Sequence, residues 1–261
     1  MNLAGGRAVV TGAATGIGRA LALEIAARGA EVVVIDVDSP DETVALVRAA
    51  GGVARGATAD VRDAAALGAV AADLLGPDGT VDLVCANAGI GASGTVDTLT
   101  GDGLRDVLDV NVVGTLHTIQ AFLPALRRAR AAGRAASVLV TGSEHSLGVP
   151  PYVPPMTAYT VSKHALLGLA ACLRRDLADD RIGVSLLCPS YVRTERLRAY
   201  AAAQPAIAEV LATYGQDGDV IARRALDGIA SGAFVIPTNR VSHDFVVDLH
   251  HEVIAALEKA E

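Results

Sequence analysis

The stretch AVVTGAATGIG, residues 8–18, joins an apolar strand to the start of a helix through a glycine-rich turn. Glycine permits tight turns and close approach of a second backbone. The helix that begins near Gly16 presents free N–H groups and the positive end of its dipole to that turn. The stretch therefore predicts a pyrophosphate-binding loop, although its spacing is GxxxGxG and not the GxGxxG of the dinucleotide fingerprint.

An acidic residue ends the next apolar run. Residues 31–36 read EVVVID, and Asp36 stands 18 positions after Gly18, close to the spacing of a ribose-binding acid. We expect its carboxylate to accept hydrogen bonds from the adenosine ribose hydroxyls and to repel a 2′-phosphate. Because Thr15 and Val37 carry no positive charge to receive such a phosphate, the sequence predicts NAD(H) rather than NADP(H) as cofactor.

Apolar β-branched runs alternate with Ala- and Leu-rich segments along the rest of the chain. Strands that are apolar throughout are typical of a parallel sheet covered on both faces, and the alternation predicts βαβ units. The sequence therefore predicts an α/β fold, a doubly wound, Rossmann-like parallel sheet of about seven strands with helices on both faces, as one domain over residues 1–261. The predicted strands are 8–11, 31–36, 53–60, 81–86, 137–141, 184–188 and 233–237, and the predicted helices are 16–28, 41–50, 64–75, 104–131, 157–177 and 243–259.

Two segments interrupt this regular pattern. Pro124 lies inside the longest predicted helix, where proline is expected to kink or break it. Residues 190–219 are Ala-rich and are interrupted by Pro205 and two glycines, so we predict a helical flap over the substrate site.

Composition argues against several function classes. The net charge of −7 disfavours nucleic-acid binding. The start of the chain lacks the apolar segment of a secretory signal, and no apolar run is long enough to span a bilayer, so we expect a cytoplasmic protein without membrane contact. No metal is expected either, because the His and Asp residues near the end of the chain are interpreted as a solvated helix face; they are His243, Asp244, Asp248, His250 and His251.

Tyr159 and Lys163 are four residues apart at the start of a predicted helix, so both side chains lie on one helix face. A free phenol has a pKa of about 10, and acid–base work near neutrality needs a pKa lower by about 3, roughly 4 kcal/mol. A nearby ammonium group favours the phenolate and is expected to supply part of this. Such pairs are common on helix surfaces, but this one follows a fifth strand in a chain with a phosphate loop, which favours a catalytic pair.

In these motifs and their order, over nearly its whole length, the chain resembles the single-domain short-chain dehydrogenase/reductase family. The matching motifs are TGxxxGIG at 11–18, Asp60-Val61, NAG at 87–89, Asn111, Ser143, YxxSK at 159–163, and PSYVRT at 189–194, which is similar to the family's PGxVxT. The resemblance implies that the cofactor is bound by Gly12, Thr15, Gly16, Ile17, Gly18, Asp36, Asp60, Val61, Asn87, Ala88, Gly89, Tyr159, Lys163, Pro189, Val192 and Thr194.

The resemblance also implies the catalytic roles. Ser143 polarises the substrate carbonyl, Tyr159 transfers a proton to or from its oxygen, and Lys163 holds the nicotinamide ribose and lowers the pKa of Tyr159. Asn111 anchors a water that extends the proton relay. The substrate is then a small molecule, a secondary alcohol or ketone, and the family commonly forms homo-oligomers, here a tetramer or dimer.

The chain departs from the family pattern at Ser190, which replaces a glycine, and between Ser143 and Tyr159, where the interval is longer and contains four prolines. We hypothesise that Tyr152 and Met156 in this interval form a pocket wall for a hydrophobic or cyclic substrate. A surface loop or a subunit contact is the alternative. The residues directly after the serine, Glu144 and His145, are candidates for contact with a polar substrate group.

Two other functions are compatible with this fold. One is an epimerase or dehydratase that retains its NAD, but such enzymes are longer and carry a separate substrate domain. The other is a catalytically silent NAD-sensing scaffold, but such proteins usually lose the tyrosine or the lysine that this chain keeps.

Overall fold

The computed structural model describes residues 1–260, except for the side chain of Ala206. Within this part of the chain, seven strands form one parallel sheet in the order β3-β2-β1-β4-β5-β6-β7. The strands are β1 Arg7–Thr11, β2 Glu31–Asp36, β3 Ala54–Thr58, β4 Leu83–Ala86, β5 Ser137–Thr141, β6 Gly183–Cys188 and β7 Val235–Pro237. The predicted single-domain, doubly wound parallel sheet is confirmed.

The helices lie between these strands and cover both faces of the sheet. They are α1 Gly16–Ala27, α2 Asp41–Ala49, α3 Ala64–Leu75, α4 Gly101–Leu108, α5 Gly114–Ala131, α6 Thr157–Asp176, α7 Glu195–Ala202, α8 Pro205–Tyr214, α9 Gly218–Ala230 and α10 His243–Leu257. Helix α9 is not among the predicted helices, because the irregular region was expected to end at residue 219 with no helix between there and the last strand. None of the helices in the described part of the chain combines the length and the apolar character that a membrane span requires.

The alternation of side chains along each strand builds two separate apolar cores. In β2, Val32 and Val34 belong to the core covered by α1, α2 and α9, whereas Val33 and Ile35 belong to the core covered by α3, α5 and α6. All four valine and isoleucine side chains are fully buried. Burial on both faces explains why the strands are apolar throughout and do not alternate with polar residues.

The predicted break at Pro124 is wrong. The helix α5 continues through Pro124, and the interruption lies earlier, where Asp109–Val113 form a π-helical segment between α4 and α5. Pro124 has no N–H to donate to the carbonyl of Gln120, one helical turn earlier. Gln120 is exposed, so water can bind that carbonyl instead. The π-helical segment contains Asn111, and such wide turns often occur at functional positions.

From β1 the chain adds β2 and β3 on one side of the sheet, and it then adds β4 to β7 on the other side, so the strand order reverses between β1 and β4. The carboxyl ends of β1 and β4 lie side by side at this point. Ligands of open α/β sheets bind in the crevice at such a point. The loop after β1 and the loop after β4 meet here, which places the glycine-rich turn and the NAG motif at one edge of the sheet.

Candidate active site

The glycine-rich loop requires glycine both for its backbone conformation and for its close contacts with neighbouring backbone. Gly12 and Gly16 have φ angles of +64° and +58°, which residues with a Cβ rarely adopt. A Cβ at Gly12 would lie 2.6 Å from the Cα of Ala88, and a Cβ at Gly18 would overlap the carbonyl oxygen of Gly12. The glycines therefore allow the loop after β1 to pack directly on the NAG segment.

The start of α1 already binds an anionic oxygen. The Gly16 N–H donates to Oε2 of Glu195 at 3.2 Å, and the Thr15 side chain makes no capping bond to the helix. The Glu195 carboxylate stands in for the phosphate oxygens that such a helix start commonly binds. The loop thus fits the pyrophosphate of a dinucleotide, with Gly16, Ile17 and Gly18 supplying N–H groups.

Asp36 lies at the end of β2 and holds the loop in place. Its Oδ2 accepts a hydrogen bond from the Ala14 N–H at 2.7 Å, and its Oδ1 accepts one from the Asp38 N–H at 3.2 Å. Each carboxylate oxygen has two lone pairs, so capacity remains for ribose hydroxyls. The side chain fits the predicted adenosine position.

One cation that the motifs do not indicate, Arg19, lies on the residue that Asp36 binds, Ala14. The guanidinium of Arg19 donates to the carbonyl oxygen of Ala14, from Nε at 2.9 Å and from Nη2 at 2.5 Å. Its charge is compensated by Glu42, 2.6 Å from Nη2, and by Glu195, 3.4 Å from Nη1. Although Thr15 and Val37 carry no positive charge, α1 brings the charge of Arg19 back over the loop that precedes it, next to Ala14.

The NAG motif and the Asp60-Val61 pair lie at the same edge of the sheet. The Asn87 side-chain amide donates to the carbonyls of Thr11 and Gly12 at 3.0 and 3.1 Å, which ties β4 to β1. Val61 is buried, and Asp60 is paired with Arg62, which lowers the pKa of the Asp60 carboxyl by its hydrogen bonds. Their predicted contacts with the adenine and the ribose stay a prediction.

Tyr159, Lys163 and Ser143 come together at the carboxyl ends of β5 and β6. The Nζ of Lys163 lies 5.4 Å from the centre of the Tyr159 ring and donates to the carbonyl of Thr141 at 2.9 Å. Ser143 follows β5, and its hydrogen bond to Tyr159 acts to lower the pKa of the phenol. The structure thus brings the predicted catalytic side chains into one cleft, beside the glycine-rich loop edge.

The expected lowering of the Tyr159 pKa by Lys163 is wrong for the protein alone. Burial raises the pKa of Tyr159, and the hydrogen bond from Ser143 opposes this only in part. Burial also lowers the pKa of Lys163 to about 8, since an ammonium ion loses hydration in the same cleft. The enclosure that brings the two groups together therefore disfavours both charged forms.

Asn111 links the cofactor edge to the catalytic helix. Its Oδ1 accepts from the Ile90 N–H at 2.8 Å, and its Nδ2 donates to the Ile90 carbonyl at 3.0 Å and to Oγ of Ser162 at 2.9 Å. Ser162 in turn donates to the carbonyl of Tyr159 at 2.7 Å. The amide is fully buried and positions backbone on both sides, and its predicted role in a proton relay stays a prediction.

The segment 189–194 runs from the catalytic cleft to the glycine-rich loop. The Pro189 carbonyl accepts from the Glu144 N–H at 2.8 Å, and Val192 is buried in the core beneath α1. Thr194 caps α7 by accepting from the Leu197 N–H at 3.2 Å. A Cβ on Gly16 would lie 3.2 Å from the Thr194 methyl carbon, so this threonine borders the phosphate loop.

Aromatic residues from three separate segments pack against one another near Glu144. The Tyr152 ring lies 6.3 Å from the ring of Tyr191 and 6.0 Å, edge to face, from that of Phe245 in α10. Met156 begins the catalytic helix and pairs by a β-bridge with Gly94. Tyr191 and Phe245 were not among the predicted site residues. The available signal was composition, since the chain has only five tyrosines and three phenylalanines and no tryptophan.

His145 supports the tyrosine and does not face solvent. Its Nδ1 lies 2.8 Å from Oγ1 of Thr160, and its ring meets that of Tyr159 edge to face at 5.2 Å. Burial lowers the pKa of His145 to about 4, with a smaller contribution from the charges of His164 and Lys163. The ring is therefore neutral near pH 7.

The pKa of His145 makes the protein less stable in mild acid. Between about pH 6.5 and 4 the unfolded chain binds a proton at His145 that the folded protein does not, so stability is lost as the pH falls. We expect the free energy of unfolding to drop by about 2 kcal/mol between pH 7.5 and 5 from this group. Urea titrations at both pH values will measure the drop, and His145→Gln should remove it; equal drops in both proteins would contradict the assignment.

The histidines of α10 lie apart from this site. His243, His250 and His251 are exposed, and His243 pairs with Asp244 at 2.8 Å. Among residues 1–260, no group of three or more His, Cys, Asp and Glu side chains is arranged to hold a metal ion.

Known proteins are similar to this chain in both sequence and architecture. The family described as short chain dehydrogenase matches residues 7–205. A 1-deoxy-11-beta-hydroxypentalenate dehydrogenase from Streptomyces avermitilis is 33% identical over 97% of this chain and 92% of its own length. A short chain dehydrogenase/reductase from Burkholderia phymatum, solved in complex with NAD, is 31% identical with a TM-score of 0.84, covering 98% of this chain and 96% of that one.

The cofactors of similar solved structures differ. A putative 2-deoxy-D-gluconate 3-dehydrogenase from Agrobacterium tumefaciens is 32% identical with a TM-score of 0.75, and it covers 90% of this chain and 95% of its own. It was solved with bound NADP, whereas the Burkholderia protein holds NAD.

Proposed function

The chain belongs to the short chain dehydrogenase family, and from that premise we propose that it transfers a hydride between NAD(H) and a secondary alcohol or its ketone. The observation that carries the proposal is the cluster of Ser143, Tyr159 and Lys163, with the Lys163 ammonium 5.4 Å from the centre of the tyrosine ring. The cluster lies at the sheet edge that also carries the glycine-rich loop, so proton transfer and cofactor binding share one crevice.

The side chains divide the work of the reaction. In alcohol oxidation, Tyr159 accepts the hydroxyl proton of the substrate, and Ser143 donates a hydrogen bond to the same oxygen. Lys163 uses one of its three donors on Thr141, which leaves donors for the nicotinamide ribose. When bound, the dinucleotide supplies the hydride acceptor, and the positive charge of its oxidised ring favours the phenolate. Ketone reduction reverses each proton movement.

The aromatic residues support a hydrophobic or cyclic substrate. The Tyr152 ring packs 6.3 Å from that of Tyr191 and 6.0 Å from that of Phe245, and its hydroxyl binds Glu144 next to Ser143. Apolar pockets with a few fixed polar groups bind such substrates by burial of their surface. The flap formed by α7 and α8 packs on the same residues, since Tyr152 and Val153 contact the small core around Tyr191.

The preference for NAD over NADP rests on the charge of Asp36, since similar structures contain either cofactor. We expect Asp36→Asn to shift the ratio of kcat/KM for NAD to that for NADP toward NADP by about tenfold or more, because repulsion of the 2′-phosphate is lost. Asparagine keeps an oxygen for the Ala14 N–H, so the loop is preserved.

The matched control for the cofactor test is Asp38→Asn. Asp38 is exposed, two residues further along, and its side chain does not bind the loop. In this variant the ratio of kcat/KM for NAD to that for NADP, measured from steady-state rates with both cofactors, should be unchanged. A native preference for NADP, or an unaltered ratio in Asp36→Asn, would contradict the proposal.

A screen of secondary alcohols with NAD⁺ tests the reaction itself. We expect net formation of NADH, measured by absorbance, with higher kcat/KM for cyclic and aromatic alcohols than for short aliphatic ones. Rearranged or dehydrated product without net NADH would indicate an epimerase or dehydratase. Tight NAD binding without turnover of any substrate would indicate a sensing protein. The predicted homo-oligomer, a tetramer or dimer, is checked separately by sedimentation.

A further inference from the structure

A buried carboxylate lies directly beside Ser143. Glu144 is only 3% exposed, in the single 3₁₀ turn that follows β5. Its Oε2 accepts hydrogen bonds from the Tyr152 hydroxyl at 2.5 Å and from Oγ of Ser242 at 2.7 Å. Burial raises the pKa of Glu144, and these hydroxyl donors oppose that rise.

The two donors come from distant parts of the chain. Tyr152 belongs to the proline-rich segment, residues 149–155, and Ser242 directly precedes α10. One carboxylate oxygen therefore joins the serine turn, the proline-rich segment and the beginning of the last helix. Leaving a buried carboxylate without such donors is unfavourable, so the two hydrogen bonds to Glu144 help to hold the three segments together.

The beginning of α10 has few other attachments. Of its fifteen residues, all of which the structure describes, none is buried. Phe245 provides the main apolar contact, against the Tyr152 ring at 6.0 Å and against Gly148, where a Cβ would lie 2.7 Å from the phenylalanine ring. A helix attached this weakly depends strongly on each remaining contact.

We propose that Glu144 is a positioning residue that fastens the proline-rich segment and the start of α10 over Ser143, and so sets the size of substrate that the enzyme accepts. The inference rests on the proposed oxidoreductase function, because Tyr152 and Phe245 are the aromatic wall of that substrate site. In this role Glu144 does not touch substrate, and it acts through Tyr152 and Ser242. A glutamine, whose side-chain carbonyl accepts the same hydroxyl hydrogen bonds, can replace it.

The test compares Glu144→Ala with Glu144→Gln. In the alanine variant we expect amide hydrogen exchange in residues 147–156 and 241–250 to be about tenfold faster, and KM for the best cyclic substrate to rise about tenfold while kcat falls less than about threefold. In the glutamine variant both quantities should stay within about threefold of the wild type. Glu252→Ala, an exposed carboxylate on α10, should leave exchange in both segments unchanged.

Two single-bond variants keep the test decisive if Glu144→Ala does not fold. Tyr152→Phe removes the hydroxyl of the proline-rich segment and should increase exchange in residues 147–156. Ser242→Ala removes the hydroxyl that precedes α10 and should increase exchange in residues 241–250. Rates as slow as in the wild type in both segments would overturn the proposal. Failure of glutamine to rescue KM, with exchange unaffected, would instead show that the charge of Glu144 binds substrate directly, which also overturns it.

The exchange measurement separates this inference from the function on which it rests. Amide exchange is measured without substrate. If exchange is faster in Glu144→Ala but the wild type oxidises no alcohol, only the oxidoreductase proposal is contradicted. Normal oxidation of alcohols together with unchanged exchange in Glu144→Ala would contradict the role of Glu144 alone.

Discussion

Replacement of Tyr159 by phenylalanine is expected to lower kcat/KM by about 10²–10⁴-fold, the usual contribution of a positioned acid–base group. Phenylalanine keeps the ring, so the edge-to-face contact with His145 at 5.2 Å and the position of the Lys163 ammonium 5.4 Å from the ring centre are retained. Only the hydroxyl that exchanges a proton with the substrate is lost. Initial rates of NADH formation with the best alcohol will measure the effect.

The loss must be one of chemistry and not of cofactor binding. Because Tyr159 is only one of many residues expected to contact the cofactor, we expect the Kd for NADH, measured by its fluorescence, to rise by no more than about threefold in Tyr159→Phe. The melting temperature should match that of the wild type. Retention of more than about a tenth of the activity would remove Tyr159 as the acid–base group. Loss of NADH binding in parallel would instead assign the tyrosine to cofactor binding.

Replacement of Gly18 by alanine is expected to destabilise the protein by about 3 kcal/mol, the upper part of the range for overpacked sites. The new Cβ would overlap the Gly12 carbonyl oxygen and lie 2.7 Å from both the Ala13 Cα and Nδ2 of Asn87. These atoms belong to the loop and to the segment that anchors it, so neither can move away without breaking the crevice. Cofactor binding should be lost as well.

Gly68→Ala is the matched control. Gly68 is exposed within α3, and a Cβ there would meet nothing within 4 Å. Alanine is the better helix former, so this variant should gain about 0.5–1 kcal/mol. Melting curves should show Gly18→Ala lower by about 6–12 °C and Gly68→Ala slightly higher than the wild type. An unchanged melting temperature in Gly18→Ala would contradict the packing described for the loop.

The sheet could be predicted because its strands carry the signal locally. A run such as Val32–Ile35 is apolar at every position since it faces a core on both sides, and that pattern is visible without knowledge of its neighbours. The positions of Tyr159 and Lys163 on one helix face follow from helical spacing for the same reason. Such features depend only on residues close in sequence.

Features that depend on distant residues or on solvation were not predictable. Ser242 meets Glu144 across 98 residues, and no pattern in either segment indicates the partner. Arg19 reaches back to Ala14 because a helix turns the side chain over its own preceding loop. The pKa of Tyr159 was mispredicted because proximity to Lys163 is encoded in the sequence, whereas the loss of hydration on burial is not.

The amide of Asn111 ties together two segments that are far apart in sequence. It holds both polar groups of the Ile90 backbone and, through Ser162, the carbonyl of the residue that transfers the proton. The loop after β4 and the start of α6 are therefore joined by one continuous chain of hydrogen bonds. The proposed dinucleotide site and the proposed proton-transfer group thus share a single hydrogen-bonded frame.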